Sequence, residues 1–237
     1  MFILEGNIGA GKSTLIKILK QELPDVVCCQ EPVEGWQKTQ LGGSLLEEFY
    51  KDSKRWSYAM ENFTLICRVK EMAKQKYGKS IVERSIFSGF YCFAKNGYLN
   101  GSMSQVEWNI YNQWFNFFAL HNGIKAPLGF IYLKSDPEIS FKRVQKRSRA
   151  EESSITLDYL KDISEMHDNM LLKKKELLPQ LEKVPILVLD ADLEFETDPV
   201  VKAQFISSVK AFIAKYTVIP ARKTNWPTES IETEVSL

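Results

Sequence analysis

Short apolar runs alternate along this chain with longer amphipathic stretches. The runs 2–5, 26–30, 80–83, 130–133 and 186–189 are brief, rich in Ile and Val, and lack polar alternation. That pattern predicts parallel strands covered on both faces, because a strand with one solvated face alternates polar and apolar positions. The stretches 14–21, 56–75, 105–120, 136–146 and 157–178 between them are each long enough for a crossover helix. The alternation predicts an α/β fold, a doubly wound five-stranded parallel sheet flanked by helices. Ligands of such sheets bind beyond the carboxyl ends of the strands, so the residues just after each run are the first candidates. There is no internal repeat and no Gly/Ser linker, and residues 1–216 read as one domain. From Thr217 onward Pro220, Pro227 and a string of Thr, Ser and Glu predict a tail, residues 217–237, outside the core.

Composition narrows the class. The 237 residues are 44% hydrophobic and 12% aromatic, enough for a continuous core. With 31 basic and 30 acidic side chains the net charge is +1, so no basic surface for general nucleic-acid binding is expected. Cys28, Cys29, Cys67 and Cys92, with His121 and His167, show no zinc-ligand spacing. The cysteines read as buried thiols in a reducing compartment, and the histidines as structural or exposed. No apolar stretch approaches the ~20 residues of a membrane span. Phe2-Ile3-Leu4 already reads as a strand just ahead of the first motif, so no N-terminal targeting peptide is expected. The expected location is therefore cytoplasmic, in the host if the source is viral.

That motif is Gly6-Asn7-Ile8-Gly9-Ala10-Gly11-Lys12-Ser13, a G-x-x-x-x-G-K-[ST] phosphate loop followed by Thr14 and a helical pattern. Its glycines allow a tight turn in which successive N–H groups face phosphate oxygens, and the helix start adds positive potential. Lys12 is expected to reach the β- and γ-phosphates and Ser13 to hold Mg²⁺. No D-x-x-G or N-K-x-D pattern points to a GTPase. Strand two ends in Glu31-Pro32-Val33, which places a carboxylate to take a proton from a hydroxyl nucleophile. Strand three ends in Glu83-Arg84-Ser85, a carboxylate for Mg²⁺ beside a guanidinium for a phosphoryl group or the base. Arg147-Ser148-Arg149-Ala150-Glu151-Glu152 suits a flap closing over phosphates.

In this order, and with Lys54-Arg55-Trp56-Ser57, Tyr91-Cys92-Phe93, Leu157-Asp158-Tyr159-Leu160 and Pro185-Ile186-Leu187-Val188-Leu189-Asp190, the chain resembles the deoxynucleoside kinase family. The resemblance spans about residues 2–215. It implies ATP-dependent phosphorylation of a deoxynucleoside 5′-hydroxyl, with Mg²⁺, and a homodimer. By position Glu31 resembles the general base and Arg84 its orienting arginine. Ser13 and Glu83 resemble the Mg²⁺ shell, and Arg147 and Arg149 the flap arginines. Tyr50 and Glu152 resemble the pair on the sugar 3′-hydroxyl. Glu194 and Phe195 fall in the loop that holds adenine. Trp36, Leu46, Phe49, Met60 and Phe93 match the walls of the nucleobase pocket.

Two positions depart from the family. The glutamine that reads the base edge falls at Glu61, and the aspartate that partners Arg68 is replaced by Gly89. An ionised Glu only accepts, which suits the N1–H and N2–H₂ donors of guanine, whereas a protonated one can pair with cytosine. Arg68 shares a helix face with Glu61 and is expected to hold it ionised. A small residue at 89 resembles the thymidine-accepting members, with room for a 5-methyl group. The balance leans to deoxyguanosine over thymidine and deoxycytidine. Trp108, Tyr111, Trp114, Phe115 and Phe118 form an aromatic face whose default is core packing. The rival readings are a nucleoside monophosphate kinase, a non-catalytic structural subunit and a nucleotide-gated interaction protein.

Overall fold

A computed structural model of the chain describes residues 1–33, 43–74, 79–121 and 124–217. Strands β1 (Phe2–Gly6), β2 (Val27–Cys29), β3 (Ser80–Glu83), β4 (Gly129–Lys134) and β5 (Ile186–Asp190) pair in parallel, in the order β2-β3-β1-β4-β5. Ile3 pairs with Val82 on one side and Phe130 on the other, so β1 is central. Its alternate side chains feed two cores. Ile3 joins Val82, Phe87, Phe115 and Phe130 on one face, and Phe2 and Leu4 join Leu15, Ile131 and Phe212 on the other. Helices on both faces make this the expected doubly wound sheet.

Cover on both faces does not extend to the edges. Val27 of β2 and Val188 of β5 are 58% and 44% exposed, because an edge strand has one neighbour and fewer helices across it.

The helices are α1 (Lys12–Glu22), α2 (Leu45–Lys51), α3 (Ser53–Lys74), α4 (Ile86–Ser88), α5 (Lys95–Leu99), α6 (Gln105–Asn116), α7 (Pro137–Arg147), α8 (Leu157–Leu171), α9 (Pro179–Glu182) and α10 (Pro199–Thr217). Capping explains several starts. Ser104 and Glu107 form a capping box at α6, Asp136 accepts from the Glu138 N–H at α7, and Thr156 accepts from Tyr159 at α8. The single helix expected over 157–178 ends at Leu171, since Lys174 and Glu176 adopt left-handed backbone (φ 49° and 52°) that no α-helix contains. Past Asn116 the winding of α6 widens to a π turn, Phe117–His121, and Gly89–Ala94 between α4 and α5 winds the same way. The aromatic face divides: Tyr111 and Phe115 are buried, while Trp114 is 48% exposed.

Thr217 closes α10, and the rest of the expected tail lies outside the described residues. Among the described residues no helix is long and apolar enough to cross a membrane. Cys92 is buried, but Cys28, Cys29 and Cys67 are only half-buried.

Candidate active site

Between β1 and α1 the loop turns through left-handed glycines. Gly9 and Gly11 have φ of 82° and 91°; a Cβ on Gly9 would lie 2.4 Å from the Ser140 carbonyl oxygen, and one on Gly11 2.7 Å from the Phe195 ring. Only glycine fits where the backbone approaches that closely. Ile8, Gly9, Gly11, Lys12, Ser13 and Thr14 face a cavity of about 570 Å³, the size of a small-ligand site. Gly6, Asn7 and Ala10 lie outside that lining; Asn7 Nδ2 donates to the Leu160 carbonyl at 2.8 Å and ties the loop to α8. Lys12 Nζ donates to the Asn7 carbonyl at 2.7 Å. Burial, helped by the Arg84 charge, pulls its pKa down to about 7; triphosphate oxygens beside it would favour the charged form.

Strand ends bring the acids together. Ser13 Oγ donates to Glu83 Oε1 at 2.9 Å, and the Glu31 backbone N–H donates to Glu83 Oε2 at 3.4 Å. The Glu31 carboxylate lies between two guanidiniums. Its Oε1 accepts from Arg68 Nε and Nη2 at 3.1 and 2.7 Å, and its Oε2 lies 3.1 Å from Arg84 Nε. Arg84 holds an uncommon positive φ of 62° where its backbone leaves β3, and its guanidinium sits 4.6 Å from the centre of the Phe93 ring. Residues 31, 68 and 84 are thus brought from three elements to one point.

Across the cavity, Arg147 and Arg149 both pair with Glu152, Arg149 Nη1 at 3.3 Å. Tyr50 and Glu152, expected at the sugar 3′-hydroxyl, line the same cavity, and both Glu152 oxygens accept from the flap arginines. Burial and the Glu152 charge push the Tyr50 hydroxyl up in pKa. Glu194 and Phe195 border the phosphate-loop end, where Phe195 stacks on Phe205 with centroids 5.1 Å apart.

At the other end Leu46, Phe49, Met60, Glu61 and Phe93 line the cavity, and Trp36 lies outside the described residues. Glu61 is only 6% exposed, and its Oε2 has no hydrogen-bond partner. Burial raises its pKa to about 7 against the opposing charge of Arg68. Arg68, expected to hold Glu61 ionised, favours that form but is outweighed by burial, and its bonds described above go to Glu31. Gly89 does not line the cavity. A Cβ there would lie 2.6 Å from Arg68 Nη1, so the guanidinium fills the space that was expected to admit a 5-methyl group.

Several groups escaped the sequence reading. Buried Glu5 accepts from Ser85 Oγ at 2.7 Å behind the acids, and burial pushes its carboxyl up in pKa. Its signal was an acid within a wholly apolar strand. Tyr159, Arg143 and Lys146 also line the cavity, and only folding places them there. His167 is buried, pushed down to about 3 by desolvation, and stacked on Tyr132. It is structural, as expected.

The sequence model described as "Deoxynucleoside kinase" matches residues 2–214. A probable deoxycytidine kinase of fowlpox virus (strain NVSL) is 37% identical over 90% of this chain and 87% of its own. The mitochondrial deoxyguanosine kinase of Xenopus laevis is 32% identical over 89% of this chain and 88% of its own. The deoxycytidine kinase of Homo sapiens is 33% identical over 89% and 90%. A family match running from β1 into α10, on a parallel sheet that carries its phosphate loop at the end of β1, leads to one conclusion: this chain belongs to the deoxynucleoside kinase family, kinases that use ATP as phosphoryl donor.

Proposed function

We propose that this kinase moves the γ-phosphoryl group of ATP to the 5′-hydroxyl of a deoxynucleoside, with Glu31 as general base and deoxyguanosine as the favoured acceptor. The observation that carries this reading is the meeting of Glu31, at the end of β2, with the Glu83–Ser13 pair at the mouth of the phosphate loop, in one cavity. Phosphoryl transfer needs positioning and charge neutralisation more than covalent work by the protein. Arg84 orients Glu31, Lys12 meets the phosphates, and Arg147 and Arg149 swing from Glu152 to the transferring group as the flap closes. The oxygens of Ser13 and Glu83 suit Mg²⁺, a hard ion that also takes phosphate oxygens and water; a cage of three or more protein ligands is absent among the described residues. Bound there, Mg²⁺ neutralises phosphate charge. Tyr50 and Glu152 hold the sugar 3′-hydroxyl, and residues 1–216 with the helical Thr217 form the kinase domain.

Guanine is favoured because the unpartnered Glu61 Oε2 accepts from adjacent ring and exocyclic N–H groups. One observation favours deoxycytidine instead: with a pKa near 7, Glu61 carries a proton in part of the molecules, and a protonated carboxyl meets the cytosine N3 and N4 edge. The exposed apolar side chains of Val106, Ile110, Trp114 and Phe117 support a homodimer through α6. The test is Mg·ATP-dependent phosphorylation of thymidine, deoxycytidine, deoxyadenosine, deoxyguanosine and the ribonucleosides, with Lys12→Ala as blank. A 5′-monophosphate is expected, most from deoxyguanosine; none from any nucleoside would overturn the reading.

A further inference from the structure

Arg68 joins two acids with different tasks. Its Nε and Nη2 both donate to Glu31 Oε1, which leaves that oxygen no lone pair for a substrate hydroxyl. On the same helix, two turns earlier, Glu61 carries a buried oxygen without a hydrogen-bond partner and feels the Arg68 charge. Opposite, at Nη1, Gly89 presents no side chain; its Cβ position is 2.6 Å away. One guanidinium therefore has two carboxylates within its range, one at the chemistry and one at the base-reading end.

We infer that Arg68 is a positioning residue that couples nucleobase recognition to catalysis: a base that bonds Glu61 and offers an acceptor to Arg68 draws the guanidinium off Glu31, and Oε1 then accepts the 5′-hydroxyl. This rests on the assignment of Glu31 as base and Glu61 as reader. It adds that discrimination among nucleosides is exercised in turnover as well as in binding. Guanine meets both demands most fully, with two donors, N1–H and N2–H₂, for Glu61 and O6 for Arg68. Thymine and cytosine each bring a single N–H edge beside an acceptor, so they draw the guanidinium less and leave Glu31 Oε1 held.

The test is steady-state kinetics with deoxyguanosine, deoxycytidine and thymidine for the wild type, Arg68→Met, Arg68→Lys and Gly89→Asp. Since general-base catalysis is worth 10²–10⁴-fold, the wild-type kcat values should differ by about tenfold or more, and in Arg68→Met should converge to within about threefold while KM rises. Arg68→Lys should restore part of the spread. Gly89→Asp supplies a rival carboxylate at Nη1 and should level kcat in the same way, which keeps the test open should Arg68→Met fail to fold. Equal loss of kcat on every nucleoside, an unchanged spread in Gly89→Asp, or wild-type discrimination confined to KM would each overturn the coupling. Wild-type protein that phosphorylates no nucleoside would instead overturn the acceptor assignment beneath it.

Discussion

Glu61 is a carboxyl whose surroundings set its charge and, as the proposed reader, its choice of base. Burial lifts it to about 7, so it is mostly protonated at pH 6 and mostly ionised at pH 8. In the proposed role the ionised form would accept from guanine and the protonated form would pair with cytosine. The ratio of kcat/KM for deoxyguanosine over deoxycytidine should therefore rise with pH through that range, and Glu61→Gln should flatten it; a flat wild-type ratio would remove Glu61 as reader. Stability follows the same group. The folded state binds its proton more tightly than the unfolded chain, so Glu61 costs stability progressively as pH rises from the ordinary carboxylate range to about 7. Glu61→Gln should accordingly raise the free energy of unfolding at pH 8 more than at pH 5, by an amount on the order of 1–3 kcal/mol, read by denaturant titration at the two pH values. At Glu31 the reading is sharper: Glu31→Gln should lower kcat by about 10²–10⁴-fold with little change in nucleoside affinity by calorimetry.

Among the elements, the β1–α1 loop tolerates least. Gly9→Ala places a Cβ against the backbone oxygen of Ser140 at a φ that disfavours side chains, and neither partner can yield cheaply. The variant should lose ATP-dependent turnover together with the rise in Tm that ATP gives the wild type. Ser104 at the start of α6 is the opposite case. Its capping box is exposed and its residues do not line the cavity. Ser104→Ala should cost about 1 kcal/mol, or roughly 2–4 °C in Tm, and leave kcat unchanged. The element boundaries tell a matching story. The start of α7 is legible because Asp136-Pro137 caps it locally, whereas the break after Leu171 rests on left-handed residues, Lys174 and Glu176, that carry no glycine signal. Helix α10 was not anticipated: its apolar residues pack one broad sheet face, with Phe212 edge-on to Phe2 at 5.6 Å, and follow no sharp stripe.

At the scale of the whole molecule the question is which surface stays apolar. Val106 is 67% exposed, Ile110 39%, Trp114 48% and Phe117 50%, along one side of α6 and its π turn. The proposed closed two-fold dimer would cover this patch in both copies at once. Sedimentation should show a dimer for the wild type and a monomer for the Ile110→Glu/Trp114→Glu pair. A monomeric wild type would exclude the dimer.

The phosphate loop, the acids ending β2 and β3, and the strand–helix alternation were all readable from the chain, because each rests on neighbours in sequence: a turn, a cap, a periodicity. Glu31, Glu83, Lys12 and Ser13 converge as their strand ends require. The strand order, with β1 inside, could not be read, since parallel pairing joins distant segments. Nor could the partner of Arg68. Helical spacing sets it on the same face as Glu61, but which acid it bonds is decided by competition among buried charges at 31, 61, 68 and 84, and their distances exist only after folding. Desolvation makes such contests steep, so tertiary structure alone chose Glu31 for Arg68 and left an oxygen of Glu61 unbonded.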